Sequence, residues 1–127
     1  MRPLLAVLLG GVGTAVLYVV FLGWNATKDP ATCTGPYDAG QVVGMAVGMA
    51  LLVAVAALFD GQWMAAAAAT VEVTVLFAVD AVTVDDPCSA GDASLWPVGA
   101  LVLLVAAGVG LGLVALVAGR LRGTAHR

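Results

Sequence analysis

Residues 98–118 read VGALVLLVAAGVGLGLVALVA, a stretch that contains no charged or polar side chain. A hydrocarbon core about 30 Å thick is crossed by about 20 apolar residues in a helix. In lipid the backbone must satisfy its hydrogen bonds within the segment, so the glycines of this stretch do not prevent a helix there as they would in water. The stretch therefore predicts a transmembrane helix.

Three more long, predominantly apolar stretches lie at residues 4–22, 41–59 and 63–82. The 127 residues are 62% hydrophobic and 10% charged, whereas a soluble domain carries about a quarter charged residues. The segments between the spans are too short to form another domain. The sequence predicts an all-α, polytopic membrane protein, with residues 1–127 forming a single domain in which four transmembrane helices make a compact bundle in the lipid bilayer.

The basic residues predict the orientation of this bundle. Four of the five lie near the two ends of the chain, at Arg2, Arg120, Arg122 and Arg127, and the fifth is Lys28. Lysine and arginine are enriched in short cytoplasmic flanks. We therefore expect a multi-pass protein of the cell membrane with both termini cytoplasmic, an inner turn near residues 60–62, and extracytoplasmic loops after the first and third spans.

Each of the two extracytoplasmic loops contains one cysteine, Cys33 and Cys88. Thiols on the oxidising side of a membrane commonly pair, so we predict a disulfide that joins the two helix hairpins. A redox role and two unpaired thiols are the alternatives. A single pair cannot relay electrons to a second pair, which favours a structural bridge.

The positions of the cysteines also divide the chain into two halves of the same form. Residues 1–60 and 61–127 each contain a helix, a loop with one cysteine and a second helix, and each loop has an acidic residue, a proline and the cysteine in that order. The halves therefore predict two parallel helix-hairpin repeats, with chance likeness as the alternative.

Glycines recur every fourth residue in two of the spans, and such spacing permits close helix contact in lipid. The second span carries Gly40, Gly44 and Gly48, and the fourth carries Gly108 and Gly112. We expect these glycines to pack the bundle itself. The alternative is a contact with a second copy of the chain or with another membrane protein.

Glu72 is the most unusual residue of the spans. It lies near the bilayer midplane if the third span begins at Trp63, where a carboxylate costs at least about 2.5–3.5 kcal/mol to place. Thr14 lies at a similar depth in the first span, and Tyr18 lies one turn further outward. Glu72 could make a structural hydrogen bond to Thr14, Tyr18 or a carbonyl group, could exchange a proton or cation, or could reach toward the interface from a shallower position.

The sequence contains no Ser/His/Asp arrangement, no phosphate-binding loop and no set of metal ligands, so we expect no enzyme, no cofactor and no metal site. The acidic isoelectric point, near 4.6, excludes a nucleic-acid partner, since nucleic acids bind basic surfaces. Two functional hypotheses remain. The protein is a structural or accessory subunit that binds other membrane proteins, or it is a small proton-coupled or cation transporter that uses Glu72.

Overall fold

A computed structural model describes residues 2–22, 39–83 and 96–125. In these ranges the chain forms four α-helices and one 3-10 helix, Ala57–Phe59. The α-helices are α1 (Arg2–Phe21), α2 (Ala39–Ala56), α3 (Gln62–Thr83) and α4 (Trp96–Ala125). Each of the four contains a segment long and apolar enough to cross a membrane. The predictions of an all-helical chain and of four candidate spans are therefore confirmed.

The fourth helix is longer than the sequence predicts. The apolar stretch ends at residue 118, but α4 continues through the arginines to Ala125. Arginine and leucine are good helix formers, and a basic residue in the last turn, here Arg122, favours the helix dipole. Thirty residues make a helix of about 45 Å, so α4 exceeds a hydrocarbon core of about 30 Å.

The turn between α2 and α3 is tight and hydrogen-bonded. Asp60 has a left-handed backbone with φ 57°, and its N–H donates to the carbonyl of Ala57 at 3.3 Å. The Gly61 N–H then donates to the carbonyl of Ala56 at 2.9 Å. Aspartate tolerates the left-handed region better than most side chains, so it can end the 3-10 helix here. The turn predicted at residues 60–62 is confirmed.

Helices α1 and α3 run in the same direction and meet backbone to backbone. Gly61 lies against Ala6, and one turn later Gly10 lies against Ala65, where an added Cβ on Gly10 would be 2.5 Å from the Ala65 carbonyl oxygen. The buried residues of α1 recur every fourth position: Ala6, Gly10, Thr14 and Tyr18. Small residues allow such close approach between helices that have no hydrophobic driving force in lipid.

Helix α2 runs antiparallel to α1, and its glycines receive α1 side chains. The Phe21 ring lies over Gly44, and Leu17 lies over Gly48. Two glycines of the second span, Gly44 and Gly48, thus contact side chains of the same chain. Gly40, at the start of the same stripe, is exposed.

Helix α4 runs antiparallel to α3, and the space at its glycines varies along the helix. Gly99 lies against the Phe77 ring, whereas at Gly108 the nearest atom to an added Cβ is the Thr70 methyl carbon, at 3.8 Å. Nothing lies within 4 Å of an added Cβ on Gly110 or Gly112. Gly110 and Gly112 therefore leave open space beside α4, whereas an added Cβ on Gly119 would lie 2.9 Å from Gln62 Nε2.

All four helices contribute to the apolar core. Its buried members are Tyr18, Leu22, Met45, Met49, Val53, Ala66, Ala69, Val73, Leu111 and Ala115. Outside this core the helices expose many large apolar side chains, which suits a lipid environment rather than water.

Candidate functional site around Glu72

Glu72 lies at the middle of α3, and its side chain is half-buried. The contacts that pair Ala6 with Gly61 and Gly10 with Ala65 place Glu72 level with Leu17 of α1 by the same register. Glu72 therefore lies about halfway along the apolar helices, level with aliphatic residues of α1.

The Glu72 side chain lines a groove that runs along the outer face of α1. The groove has a volume of about 560 Å³ and is open to the surroundings. We call it the α1 groove. Its lining residues are Val7, Leu8, Gly11, Val12, Ala15, Val16, Val19, Val20 and Glu72. Glu72 is thus the one polar residue on a wall that is otherwise aliphatic.

The small residues of the groove leave room beside α1. Gly11 and Ala15 are one turn apart and so lie on the same side of the helix. Nothing lies within 4 Å of an added Cβ on Gly11. The flanking Val12 and Val16 are more than half exposed, at 58% and 56%. The groove therefore leaves room for another apolar helix to pack against α1.

Thr14 and Tyr18 lie in the contacts between helices and not in this groove. Thr14 is fully buried beside the α1–α3 contact, and its Oγ1 has no hydrogen-bond partner. No hydrogen bond therefore joins Thr14 to Glu72. Tyr18 is a buried member of the apolar core. The structure thus separates Glu72 from Thr14, which the sequence grouped with it by depth alone.

The neighbouring threonines of α3 satisfy their hydroxyl groups within their own helix. Thr70 Oγ1 donates to the Ala66 carbonyl at 2.8 Å, and Thr74 Oγ1 donates to the Thr70 carbonyl at 2.7 Å. Helix interiors in lipid commonly hold threonine in this way. These hydroxyls are therefore already used and do not extend the polar surface around Glu72.

Basic residues in the described helices lie only at helix ends, at Arg2, Arg120 and Arg122. None of them is near the depth of Glu72. The described part of the chain therefore supplies no cation that could form an ion pair with this carboxyl group.

A polar contact that the sequence does not reveal joins α4 to the turn before α3. The Arg122 guanidinium donates to the Ala57 carbonyl at 2.7 Å and forms an ion pair with the Asp60 carboxylate. The sequence suggests a turn residue at Asp60 and a basic tail at Arg122, with both on the same side of the membrane. The opposite charges of Asp60 and Arg122 were the available sign of this contact in the sequence. The contact also requires α4 to remain helical as far as Arg122.

Cys33 and Cys88 lie outside the described residues, and so does the disulfide predicted between them. Among the described residues, no group of three His, Cys, Asp or Glu side chains could hold a metal ion.

Comparison of the chain with known protein families, with curated proteins and with solved structures found no match.

Proposed function

We propose that this protein is a structural or accessory subunit of the cell membrane that binds another membrane protein through its helices. The proposal rests on the position of Glu72. The ionisable side chain nearest the middle of the described spans lies on an outward-facing apolar groove and not in a passage between the helices.

The interior packing supports a binding role over a transport role. The buried side chains of the described residues are apolar except for Thr14 and Thr70, and Thr70 already donates to its own helix. An ion or polar solute crossing the molecule would need polar groups or water along its path. The described helices instead meet mainly through glycine, alanine and other apolar side chains.

The arrangement of the helix ends supports the proposed orientation. The contact of Ala6 with Gly61 and the contact of Arg122 with Asp60 bring the first turns of α1, the α2–α3 turn and the last turns of α4 to the same end of the molecule. That end carries Arg2, Arg120 and Arg122, and basic flanks favour the cytoplasm. We therefore propose cytoplasmic termini and extracytoplasmic loops, bridged by Cys33 and Cys88. We also propose that the two helix hairpins are parallel repeats.

The second candidate function is a small proton-coupled or cation transporter in which Glu72 is the exchanging site. One observation favours it. Glu72 is only half-buried and faces an open groove, so an ion that reached the groove could meet the carboxyl group directly.

Two measurements on the same tagged chain separate these functions. The chain is solubilised from its native membranes in a mild detergent, and the mass of the complex is determined. The purified chain is also reconstituted into vesicles that contain a pH-sensitive dye. An accessory subunit migrates in a complex with a different protein, and its vesicles show no proton flux above empty vesicles.

The transporter hypothesis predicts the opposite result in each of these two measurements. The chain would migrate alone or with copies of itself, and vesicles with the wild-type chain would show a cation-driven proton flux that Glu72→Gln abolishes. This pair of results would overturn the proposal of an accessory role.

A further inference from the structure

The chemistry of the α1 groove indicates what it binds. We propose that the groove receives a transmembrane helix of a different protein, and that this helix carries a lysine or arginine at mid-membrane depth facing Glu72. The inference rests on the proposed accessory function and specifies its binding surface and the kind of partner.

The dimensions of the groove fit a helix. Its lining extends along α1 from Val7 to Val20, which is about 20 Å at 1.5 Å per residue, or about two-thirds of the hydrocarbon thickness. Gly11 leaves open space at an added Cβ, and Ala15 follows one turn later. A small residue repeated at this spacing lets the backbone of a second helix approach closely.

The charge of the groove specifies the partner more narrowly than its shape does. A carboxyl group among aliphatic side chains at this depth is costly without a hydrogen-bond donor or an opposite charge. The described residues supply no basic side chain at that level. A lysine or arginine on a partner helix would form a hydrogen-bonded ion pair with Glu72, and this pairing lowers the cost of both groups.

A second copy of this chain cannot supply that side chain. The stretches at residues 4–22, 41–59, 63–82 and 98–118 contain no lysine, arginine or histidine. Lipid acyl chains contain no hydrogen-bond donor either. Of the candidate occupants, only a helix of different sequence can place a basic side chain opposite the carboxyl group.

A synthetic helix tests the inference on the full chain. The probe is a single-span leucine–alanine peptide with one central lysine, and its control has leucine at that position. Binding to the labelled chain is measured by energy transfer in phosphatidylcholine vesicles. The wild-type chain should bind the lysine peptide about tenfold more tightly than the leucine peptide, as expected for one polar contact between helices. Glu72→Leu should abolish that preference.

Two glycine variants locate the binding surface. Gly11→Leu fills the groove and should prevent binding of the lysine peptide. Gly110→Leu is the matched control, because Gly110 has equally open space but lies on α4, and it should bind as the wild type does. Equal binding of the two peptides, an unchanged preference in Glu72→Leu, or unchanged binding in Gly11→Leu would each overturn the inference.

The same variants separate this inference from the accessory function. If the native complex forms with the wild-type chain but survives Gly11→Leu, the accessory function stands and the groove is not its surface. If labelled copies associate with each other and Gly11→Leu alone prevents it, a second copy occupies the groove and the inference is wrong. Loss of the native complex in Gly11→Leu, but not in Gly110→Leu, supports the inference.

Discussion

Gly10 and Gly11 are adjacent in the sequence but occupy opposite environments. Gly10 faces the α3 backbone, whereas Gly11 faces open space. Gly10→Ala should therefore force α1 and α3 apart and lower the free energy of unfolding by about 1–3 kcal/mol, the usual cost of overpacking. Gly11→Ala should change it by less than about 1 kcal/mol. Reversible unfolding in detergent micelles measures both.

The contrast between these two variants is the test of the α1–α3 contact. If Gly10→Ala is as stable as Gly11→Ala, the two backbones do not meet at Ala65. A loss in both variants of similar size would indicate that glycine is needed for helix flexibility rather than for packing.

Thr14 presents a hydroxyl group that is buried without a partner. An unsatisfied buried hydroxyl is destabilising, and an apolar group of the same shape removes that cost. We expect Thr14→Val to raise the free energy of unfolding by about 1 kcal/mol, measured in the same micelles. A loss of stability instead would show that the hydroxyl is hydrogen-bonded in the folded protein, for example to a bound water.

At the scale of the helices, Arg122 connects the end of α4 to the α2–α3 turn. Arg122→Ala removes both the hydrogen bond to the Ala57 carbonyl and the ion pair with Asp60. We expect it to cost about 1 kcal/mol and to increase hydrogen exchange in the last turns of α4, around residues 119–125. Arg120→Ala is the control, since Arg120 is exposed, and its exchange should match the wild type.

The ion pair itself should contribute little of this effect. The Asp60 side chain is 66% exposed, and exposed ion pairs are weak and screened by salt. Asp60→Asn should therefore increase exchange at the end of α4 far less than Arg122→Ala does. Equal effects of the two variants would assign the contact to the ion pair and not to the carbonyl.

The bounds of the helices were predictable where hydropathy changes sharply. Helices α1 to α3 end within a few residues of the ends of their apolar stretches. The end of α4 was not predictable in this way. Its last turns are stabilised by helix propensity and by the contact of Arg122 with the α2–α3 turn. Neither effect can be predicted from the length of an apolar stretch.

For the whole molecule, the predicted topology and disulfide make a joint prediction. The peptides that contain Cys33 and Cys88 should be linked in non-reducing mass spectrometry, with a loss of two hydrogens, because both loops are expected on the oxidising side. A membrane-impermeant thiol reagent should label both cysteines in intact cells only after reduction. Labelling of either cysteine without reduction would contradict the disulfide.

For Glu72, the sequence predicts a depth in the membrane but not the direction in which the side chain points. The spacing from Trp63 gives the level of Glu72, and the same arithmetic groups it with Thr14. Which side of α3 faces which helix depends on the parallel contact of α1 with α3, which pairs segments far apart in the sequence through small residues such as Gly10 and Ala65. Alanine and glycine are so frequent here that no single stripe identifies its partner.

The α2–α3 turn touches segments from both ends of the described chain, at Ala6 and at Arg122. The ribosome synthesises Ala6 before the turn and Arg122 after it. The turn is therefore made while Ala6 is already present and Arg122 is still absent. Until residue 122 is synthesised, the Ala57 carbonyl and the Asp60 carboxylate lack their contact with Arg122. The two contacts of this turn therefore become possible in a fixed order, the one with α1 before the one with α4.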